Sequence, residues 1–485
     1  LVKTVLPGYG PIVMKTVRTI AAAVILCLFY GCAVSLENAG DAGSASLSGK
    51  ARVLVYLYVK DGKRPPLLSF TLGVSALKKS GGQQVALDGE AKTVNASELL
   101  GSQLILGEYF VEPGSFDAVE IRITAASLAG ADVFSKLTGS KTYVLPVNFS
   151  LLAENSFVVN IEWDAVASVI SPGVVEPAMY ASGQQALAHH LVSFISNEGS
   201  DYVSVIDIDK ERVIGAISVG RAPTSIVSLS GANDAYVLNS GDGTVSVVDL
   251  LSFKVRETIS PVGGVGSKEM VGVKTGSGFD GVKLYIMNAV SNDVTVVNAN
   301  TRLTTKTIVA GLAPKAIAAH KTRKEVYVAN FASGDISVIA ATSDNVVAQI
   351  KVGVRPTGLA VSGDKLYVFD DTSLVISVVS LSDRKESFKI PIAHSVARGI
   401  TAFDGRLFAM DTVNDKVVFF SQTDVVVGAV VVCKGSFAAV ADEFRNRLYV
   451  ACRDDGSVGI VDVSAQKALK KLKVGSRPYG VMRFE

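Results

Sequence analysis

The sequence predicts an all-β chain, an N-terminal antiparallel β-sandwich followed by a seven-bladed β-propeller closed by the C-terminal strand. Three observations predict it. A phrase of the form V-S-V-I-D recurs seven times, starting at Val203, Val245, Val294, Ile336, Ile376, Val417 and Val458, at intervals of 42, 49, 42, 40, 41 and 41 residues. A repeat near 40 residues holding short alternating strands is a propeller blade, and the 3.6-residue period of a helical repeat is absent. The first repeat lacks its opening strand, while the chain ends on SRPYGVMRF at 476–484, which matches the opening strand elsewhere, as in RPTGLAV at 355–361. The C-terminus is therefore expected to complete the first blade and remove two open edges. Upstream, residues 50–167 carry short strand-like runs separated by Gly, Asp and Pro turns, the pattern of a sandwich.

Composition sets the limits. A chain of 485 residues exceeds one ordinary core. Hydrophobic residues make up 48% and charged residues 19%, which excludes disorder for most of the length. A net charge of +2 gives no global field for nucleic acid or a membrane surface. With four His, four Cys and no C-x-x-C-H, covalent haem is excluded, and no cofactor or metal site is expected.

Met14 opens a second N-terminus: Lys15 and Arg18 precede an apolar run from Ile20 to Tyr30, then Gly31 and Cys32. The run is too short to span a bilayer as a helix and has the length of a signal h-region. Its end resembles a bacterial lipoprotein signal, in which a small residue and Gly or Ala precede the Cys that becomes diacylated. Gly31 and Cys32 fit that pattern; Phe29 and Tyr30 are bulkier than its usual occupants. The resemblance implies lipidation at Cys32, with simple secretory cleavage near Ala33 as the alternative. Residues 1–36 are thus expected to be an upstream extension plus signal peptide, and 37–49 a flexible tether. Both routes place the mature protein outside the cytoplasm, as an outer-membrane lipoprotein or a periplasmic or secreted protein held by a lipid anchor rather than a spanning helix.

Within the sandwich domain (50–167), strands are expected at 52–60, 67–74, 83–87, 103–111, 118–126, 141–149 and 156–163. The stretch LILGEYFVEPGSFDAVEIRIT resembles a domain family of bacterial lipoproteins with a prealbumin-like sandwich, the likeness resting on Leu106, Gly107, Tyr109, Val119, Ile121 and Ile123. Trp163, the one tryptophan, is read as core or edge cover rather than a sugar platform. Residues 168–188, with Pro172 and Pro177, read as a linker to the propeller at 189–485.

The repeats resemble the YVTN-type family of bacterial and archaeal surface propellers. That pattern runs V-G-x-x-P-x-G-x-A, then Y-V-x-N, then V-S-V-I-D. Pro223, Pro314, Pro356 and Pro478 fill the proline slot; Tyr236, Tyr285, Tyr327, Tyr367 and Tyr449 fill the tyrosine slot, with Phe194 and Phe408 in the first and sixth repeats. The resemblance implies a fold and no particular activity.

Candidate functional residues lie where the crossovers and the second-to-third-strand turns share a face. Each crossover has a cation near the proline slot: Arg221, Lys268, Lys315, Arg355, Arg398, Lys434 and Arg477. The facing turns carry Asp201, Asp242, Asp293, Asp335, Asp371, Asp415 and Asp455. A cationic ring would focus field on an anionic ligand or acidic partner. Pairing of each cation with a turn acid is the competing and favoured reading. The histidines at 189, 190, 320 and 394 belong to different repeats and are not read as a metal or haem site. Cys433 and Cys452 fall in one repeat and form a candidate disulfide. No hydrolase elbow, zinc-protease or P-loop spacing occurs, and basic–aromatic interleaving suited to single-stranded nucleic acid is missing. The expected function is a non-catalytic envelope protein whose propeller binds another envelope protein or a surface polymer. The alternatives are a propeller enzyme with a lactonase-like, quinone-dependent or haem-dependent funnel site, and anion or nucleic-acid binding through the basic ring.

Overall fold

The computed structural model describes residues 47–484 except short segments at 63, 134–136, 138–140, 185–190, 230–232, 261, 263, 265, 277–280, 354, 371–374, 393–396 and 404. The expected signal segment, Cys32 and most of the tether lie outside the described residues. Apart from one four-residue helix, α1 (Ala96–Leu99), the described regular elements are strands.

The N-terminal part holds β1 (Ala51–Val59), β2 (Leu68–Lys79), β3 (Gln84–Ala86), β4 (Lys92–Asn95), β5 (Gln103–Val111), β6 (Gly114–Leu128), β7 (Ala131–Asp132), β8 (Thr142–Leu151), β9 (Ser156–Trp163), β10 (Val169–Ser171), β11 (Val174–Val175) and β12 (Met179–Gly183). One sheet runs β12-β9-β1-β5; a second is built on β3-β2-β6-β7, with β4 on β2 and β8 on β6. Their facing sides share a core that includes Val53, Val55, Leu57, Phe70, Leu72, Ile121, Phe149 and Trp163. Trp163 is fully buried, its Nε1 donating to Ser168 Oγ at 3.1 Å and its ring 5.0 Å from that of Phe70. Two expectations need correction. The domain is not wholly antiparallel: β1 and β9 pair in parallel, which is possible because the chain crosses through the other sheet between them. Residues 168–188 are not a bare linker, because β12 pairs with β9 and extends the first sheet.

From Val192 onward the described strands form seven four-stranded antiparallel sheets, here sheets I to VII. Sheet I comprises Val192–Asn197, Tyr202–Asp207 and Arg212–Ser218, completed by Pro478–Phe484 from the far end of the chain. Sheets II to VII span 223–259, 267–309, 314–351, 356–391, 397–431 and 436–473. Their first strands touch in succession, and Pro478–Phe484 lies against both Pro223–Ser228 and Ser436–Asp442. This is a β-propeller fold. The first residues of the seven V-S-V-I-D phrases each occupy the second position of a third strand, and all are fully buried. The closing Asp or Asn folds the next turn: Asp207, Asp249, Asn298 and Asp462 accept backbone N–H groups two or three residues on.

Two recurrent bonds explain the rest of the repeat. The second strand ends on buried Asn197, Asn239, Asn288 and Asn330 in sheets I to IV, and each Nδ2 donates to a third-strand hydroxyl: Ser204 at 3.0 Å and Ser246, Thr295 and Ser337 at 2.9 Å. The Oδ1 of Asn197 and Asn330 accept the crossover N–H of Gly475 and Gly311 at 3.1 and 3.0 Å. A side chain cannot stand there, because a Cβ at Gly311 would lie 2.4 Å from Asn330 Cγ. In sheet VII the same two positions hold Cys433 and Cys452, joined by a disulfide with Cα atoms 5.6 Å apart. Gly459 replaces the third-strand hydroxyl residue; a Cβ there would lie 2.3 Å from Val432 Cγ1 and in ordinary contact, at 3.5 Å, with both sulfurs.

The second recurrent bond links neighbouring sheets at the opposite end of the second strand. Each third-to-fourth-strand turn places one residue at positive φ: Glu211, Phe253, Arg302, Asp344, Arg384, Asp424 and Gln466. In several sheets that residue meets the start of the preceding sheet's second strand. Asp344 is held by Lys283 Nζ at 2.7 Å and the Tyr285 hydroxyl at 2.5 Å, and Asp424 by Lys365 Nζ at 2.5 Å and the Tyr367 hydroxyl at 2.8 Å. The charges are reversed between sheets IV and V, where Arg384 reaches Glu325 at 3.0 Å and Glu325 also accepts from the Tyr327 hydroxyl. Where Tyr becomes Phe194, the partner becomes Phe253, ring to ring at 6.0 Å.

The first N-terminal sheet packs on the flank of sheets VII and I. Leu54, Tyr56 and Val158 share a cluster with Tyr202, Ile206, Val213, Tyr449, Ile460 and Leu472. Covered on both faces, β1 is buried almost throughout, which accounts for its nearly continuous apolar spelling. Gln103 fixes the register: its Oε1 accepts from Val213 N–H at 2.8 Å, and its Nε2 donates to Val213 O at 3.1 Å and Asn160 Oδ1 at 2.8 Å. Arg52 lies between the rings of Phe110 and Tyr202 and pairs with Glu108 at 2.9 Å.

Candidate functional site at the mouth of the ring

Crossovers and second-to-third-strand turns meet through backbone bonds. Glu198 and Gly199 donate to Arg477 and Ser476, Gly241 to Arg221, Phe331 to Ala313, and Arg453 to Gly435, each at 3.0 or 3.1 Å. One end of the propeller is therefore lined by two kinds of segment with free choice of side chain.

Strand register separates the seven candidate cations. The residues opposite the end of the second strand are Pro223, Ser267, Pro314, Pro356, Ala397, Ser436 and Pro478. Counted from these, Lys268, Lys315 and Arg398 come one residue after, Arg355 and Arg477 one before, and Arg221 and Lys434 two before. They form no single ring at one level. Arg355 and Arg477 also occupy positive φ, at 68° and 50°, which turns their side chains at the corner of the crossover.

Their partners differ as well. Arg221 pairs with Asp242 through Nε at 2.6 Å, the arrangement expected for a crossover cation and a turn acid. Asp201 and Asp415 accept backbone N–H groups of Ala222 and Gly435, both at 2.8 Å. Asp293 and Asp335 accept from Asn288 and Asn330, and Asp335 also pairs with Lys351 of its fourth strand. Asp455 takes the N–H of Lys434 and the ammonium of Lys471. Asp371 and the side chain of Arg398 lie outside the described residues, as do His189, His190 and His394. His320 bonds across to Gly363 O in sheet V at 3.0 Å.

Lys268 and Arg477 turn elsewhere, to a residue that sequence reasoning missed. Glu198, in the turn of sheet I, is bound by Lys268 Nζ of sheet III at 3.0 Å, by Arg477 at 3.5 Å and by Arg453 of sheet VII. Its side chain is 10% exposed, whereas those of Lys268 and Arg477 are 47% and 51% exposed. Burial pushes the Glu198 carboxyl up, but Arg453, Lys268 and Arg477 outweigh it and hold the pKa below the usual range. Arg453 lies over the rings of Phe437 and Tyr479, at 4.7 and 5.1 Å, and these two rings are themselves 4.7 Å apart. A second cluster faces sheets IV and V: Lys315 and Arg355 lie over Phe331 at 5.5 and 4.6 Å. Lys268, Arg453 and Arg477 thus bring three positive charges to the carboxylate of Glu198. The signal that could have found Glu198, Phe331 and Arg453 is their common place, the residue directly after the Asn slot.

Below the mouth, Glu269 on the first strand of sheet III accepts the N–H of Ile317 on the first strand of sheet IV at 3.1 Å. Burial, only partly offset by that hydrogen bond, pushes its pKa up to about 7. No group of three or more His, Cys, Asp or Glu that could hold a metal ion occurs among the described residues. No described helix is long and apolar enough to cross a membrane.

Solved structures with this fold include a "putative 6-phosphogluconolactonase" from Bacteroides uniformis, at 12% identity and a TM-score of 0.52, the match covering 61% of this chain and 100% of the other. A protein of the same description from Bacteroides fragilis matches at 14% identity and a TM-score of 0.51, over 62% and 99% of the two chains. A protein of unknown function from Desulfotomaculum acetoxidans matches at 10% identity and a TM-score of 0.51, over 60% and 98%. The chain contains a β-propeller. No protein-family model and no curated protein matches the sequence. At these identities the neighbours share the fold alone.

Proposed function

We propose that the chain is a non-catalytic envelope protein, a YVTN-type seven-bladed propeller joined to a prealbumin-like sandwich, whose ring mouth binds an acidic segment of another envelope protein or surface polymer. The observation that carries this reading is Glu198 gathering Lys268, Arg453 and Arg477 from separate parts of the ring. A buried carboxylate holds three cations in place, and two of them keep half their surface open to a further anion. Aromatic faces at Phe437, Tyr479 and Phe331 fix the guanidinium planes at little entropic cost. The lipid anchor at Cys32 belongs to the same proposal and would hold the platform at a membrane surface.

The experiment is calorimetric titration with poly-glutamate at low and at physiological salt. Expected are binding that weakens with salt and a loss of about tenfold in K268A/R477A, because the contacts are charge-assisted and partly exposed. Binding insensitive to both salt and the double variant would refute an electrostatic mouth.

A further inference from the structure

We propose that the gap between sheets II and III is a binding site for a small organic acid, its carboxylate bridging the Tyr236 hydroxyl and the Arg302 guanidinium. Three of the other gaps share a mode of closure. Between sheets III and IV and between V and VI, a tyrosine hydroxyl and a lysine clamp the next sheet's aspartate; between IV and V, Glu325 lies between the Tyr327 hydroxyl and Arg384. In all three a carboxylate occupies the space beside the tyrosine.

The gap between sheets II and III has the reversed pair, Asp234 with Arg302, in the positions of Glu325 and Arg384. Asp234 is one methylene shorter than Glu325, and it is drawn aside by Arg256 Nη1 at 3.0 Å. Arg302 turns outward to Glu257. What remains is a cavity of about 380 Å³ lined by Leu229, Tyr236, Arg256, Val282, Asn300 and Arg302 among others. Tyr236 is 6% exposed and lines this cavity. A hydroxyl donor facing a cavity offers an acceptor a hydrogen bond there.

The occupant is an acid with an apolar body. Arg256 bridges Asp234 and Asp249 and so screens the Asp234 carboxylate in part. The Arg302–Glu257 pair is 40% and 41% exposed, and such a surface pair exchanges at little cost. Leu229, Val282 and Ala299 supply an apolar wall behind the polar end. The volume exceeds that of a carboxylate alone, leaving room for a short alkyl chain or ring.

The test is saturation-transfer NMR on the whole protein with butyrate and butyramide as probes. Butyrate is expected to bind and butyramide not. D234E supplies the missing methylene, places its own carboxylate between Tyr236 and Arg302 as Glu325 does between Tyr327 and Arg384, and is expected to weaken butyrate about tenfold while melting at or above the wild-type temperature. Y236F removes the donor and is expected to weaken binding by a similar factor. Absence of butyrate binding, equal binding of butyramide, or full binding by D234E would each overturn the proposal.

Discussion

In sheet VII a covalent bond stands where sheets I and IV use an Asn–Gly hydrogen bond, and its energetic role can be measured by restoring the pattern of the other repeats. Cys433 and Cys452 are 19 residues apart in sequence, a loop whose closure entropy corresponds to roughly 3 kcal/mol. For a folded body of this size, that lowers the melting temperature by about 3–4 °C on reduction. C433A/C452A should melt with the reduced wild-type protein. C433G/C452N should melt higher than C433A/C452A, by the equivalent of about 1 kcal/mol, because the introduced asparagine can accept the N–H of the introduced glycine as Asn330 accepts that of Gly311. Differential scanning calorimetry with and without reductant gives all four values. A wild-type melt unmoved by reductant, or coincident melts of the two double variants, would refute the equivalence of the covalent and hydrogen-bonded links.

Removing residues 477–485 strips sheet I of its first strand, and with it the ladder from Val192 to Asn197 and the buried Met482. The expected loss is several kcal/mol. Urea titration should show it, and a peptide of that sequence should restore part of it in trans; an unchanged midpoint would sink the closure. Glu269 yields a prediction with a sign. Its folded pKa of about 7 lies above its ordinary 4.5, so the folded state favours the protonated form and stability falls as pH rises between those values. The full displacement corresponds to at most about 3 kcal/mol, and partial exposure reduces it to roughly 1–2 kcal/mol. E269Q should therefore match the wild type at pH 4 and exceed it at pH 8, and parallel melting curves at both pH values would contradict the burial of that carboxyl.

What the sequence disclosed and what it hid follow from one physical distinction. Period, turn chemistry and apolar alternation are local, and each could be read: the third-strand positions from Val203 to Val458, the completing strand at 478–484, and the seven upstream strand runs all lie where their spelling put them. The parallel pairing of β1 with β9 and the recruitment of β12 were hidden, because both depend on partners more than a hundred or some twenty residues away along the chain. The same distinction governs the site. Counting cations near each proline found Lys268 and Arg477 but placed seven residues on one ring, because a proximity of one or two residues in sequence is a change of side or corner at a strand end. Register decides at which level each of them sits, and it is read from the strand-end residues opposite, Asn, Asp or Cys.

Glu198 shows why partner choice was the least legible layer. In sequence it is one acid in a polar turn, with Asp201 three residues on as the more regular repeat feature. In three dimensions Asp201 is consumed by a backbone N–H, while Glu198 is buried among cations from the third and last sheets. The regular acids belong to the scaffold, repeated because every turn needs an acceptor. The irregular residues after the Asn slot, Glu198, Phe331 and Arg453, are not needed by any turn, so their chemistry is free to serve recognition. The same reasoning singles out the gap at Tyr236: a repeat that closes three of its gaps with a carboxylate beside the tyrosine and leaves this one short by a methylene has either lost a contact there or has a use for the space, and the D234E variant distinguishes the two by whether stability alone, or ligand binding as well, responds.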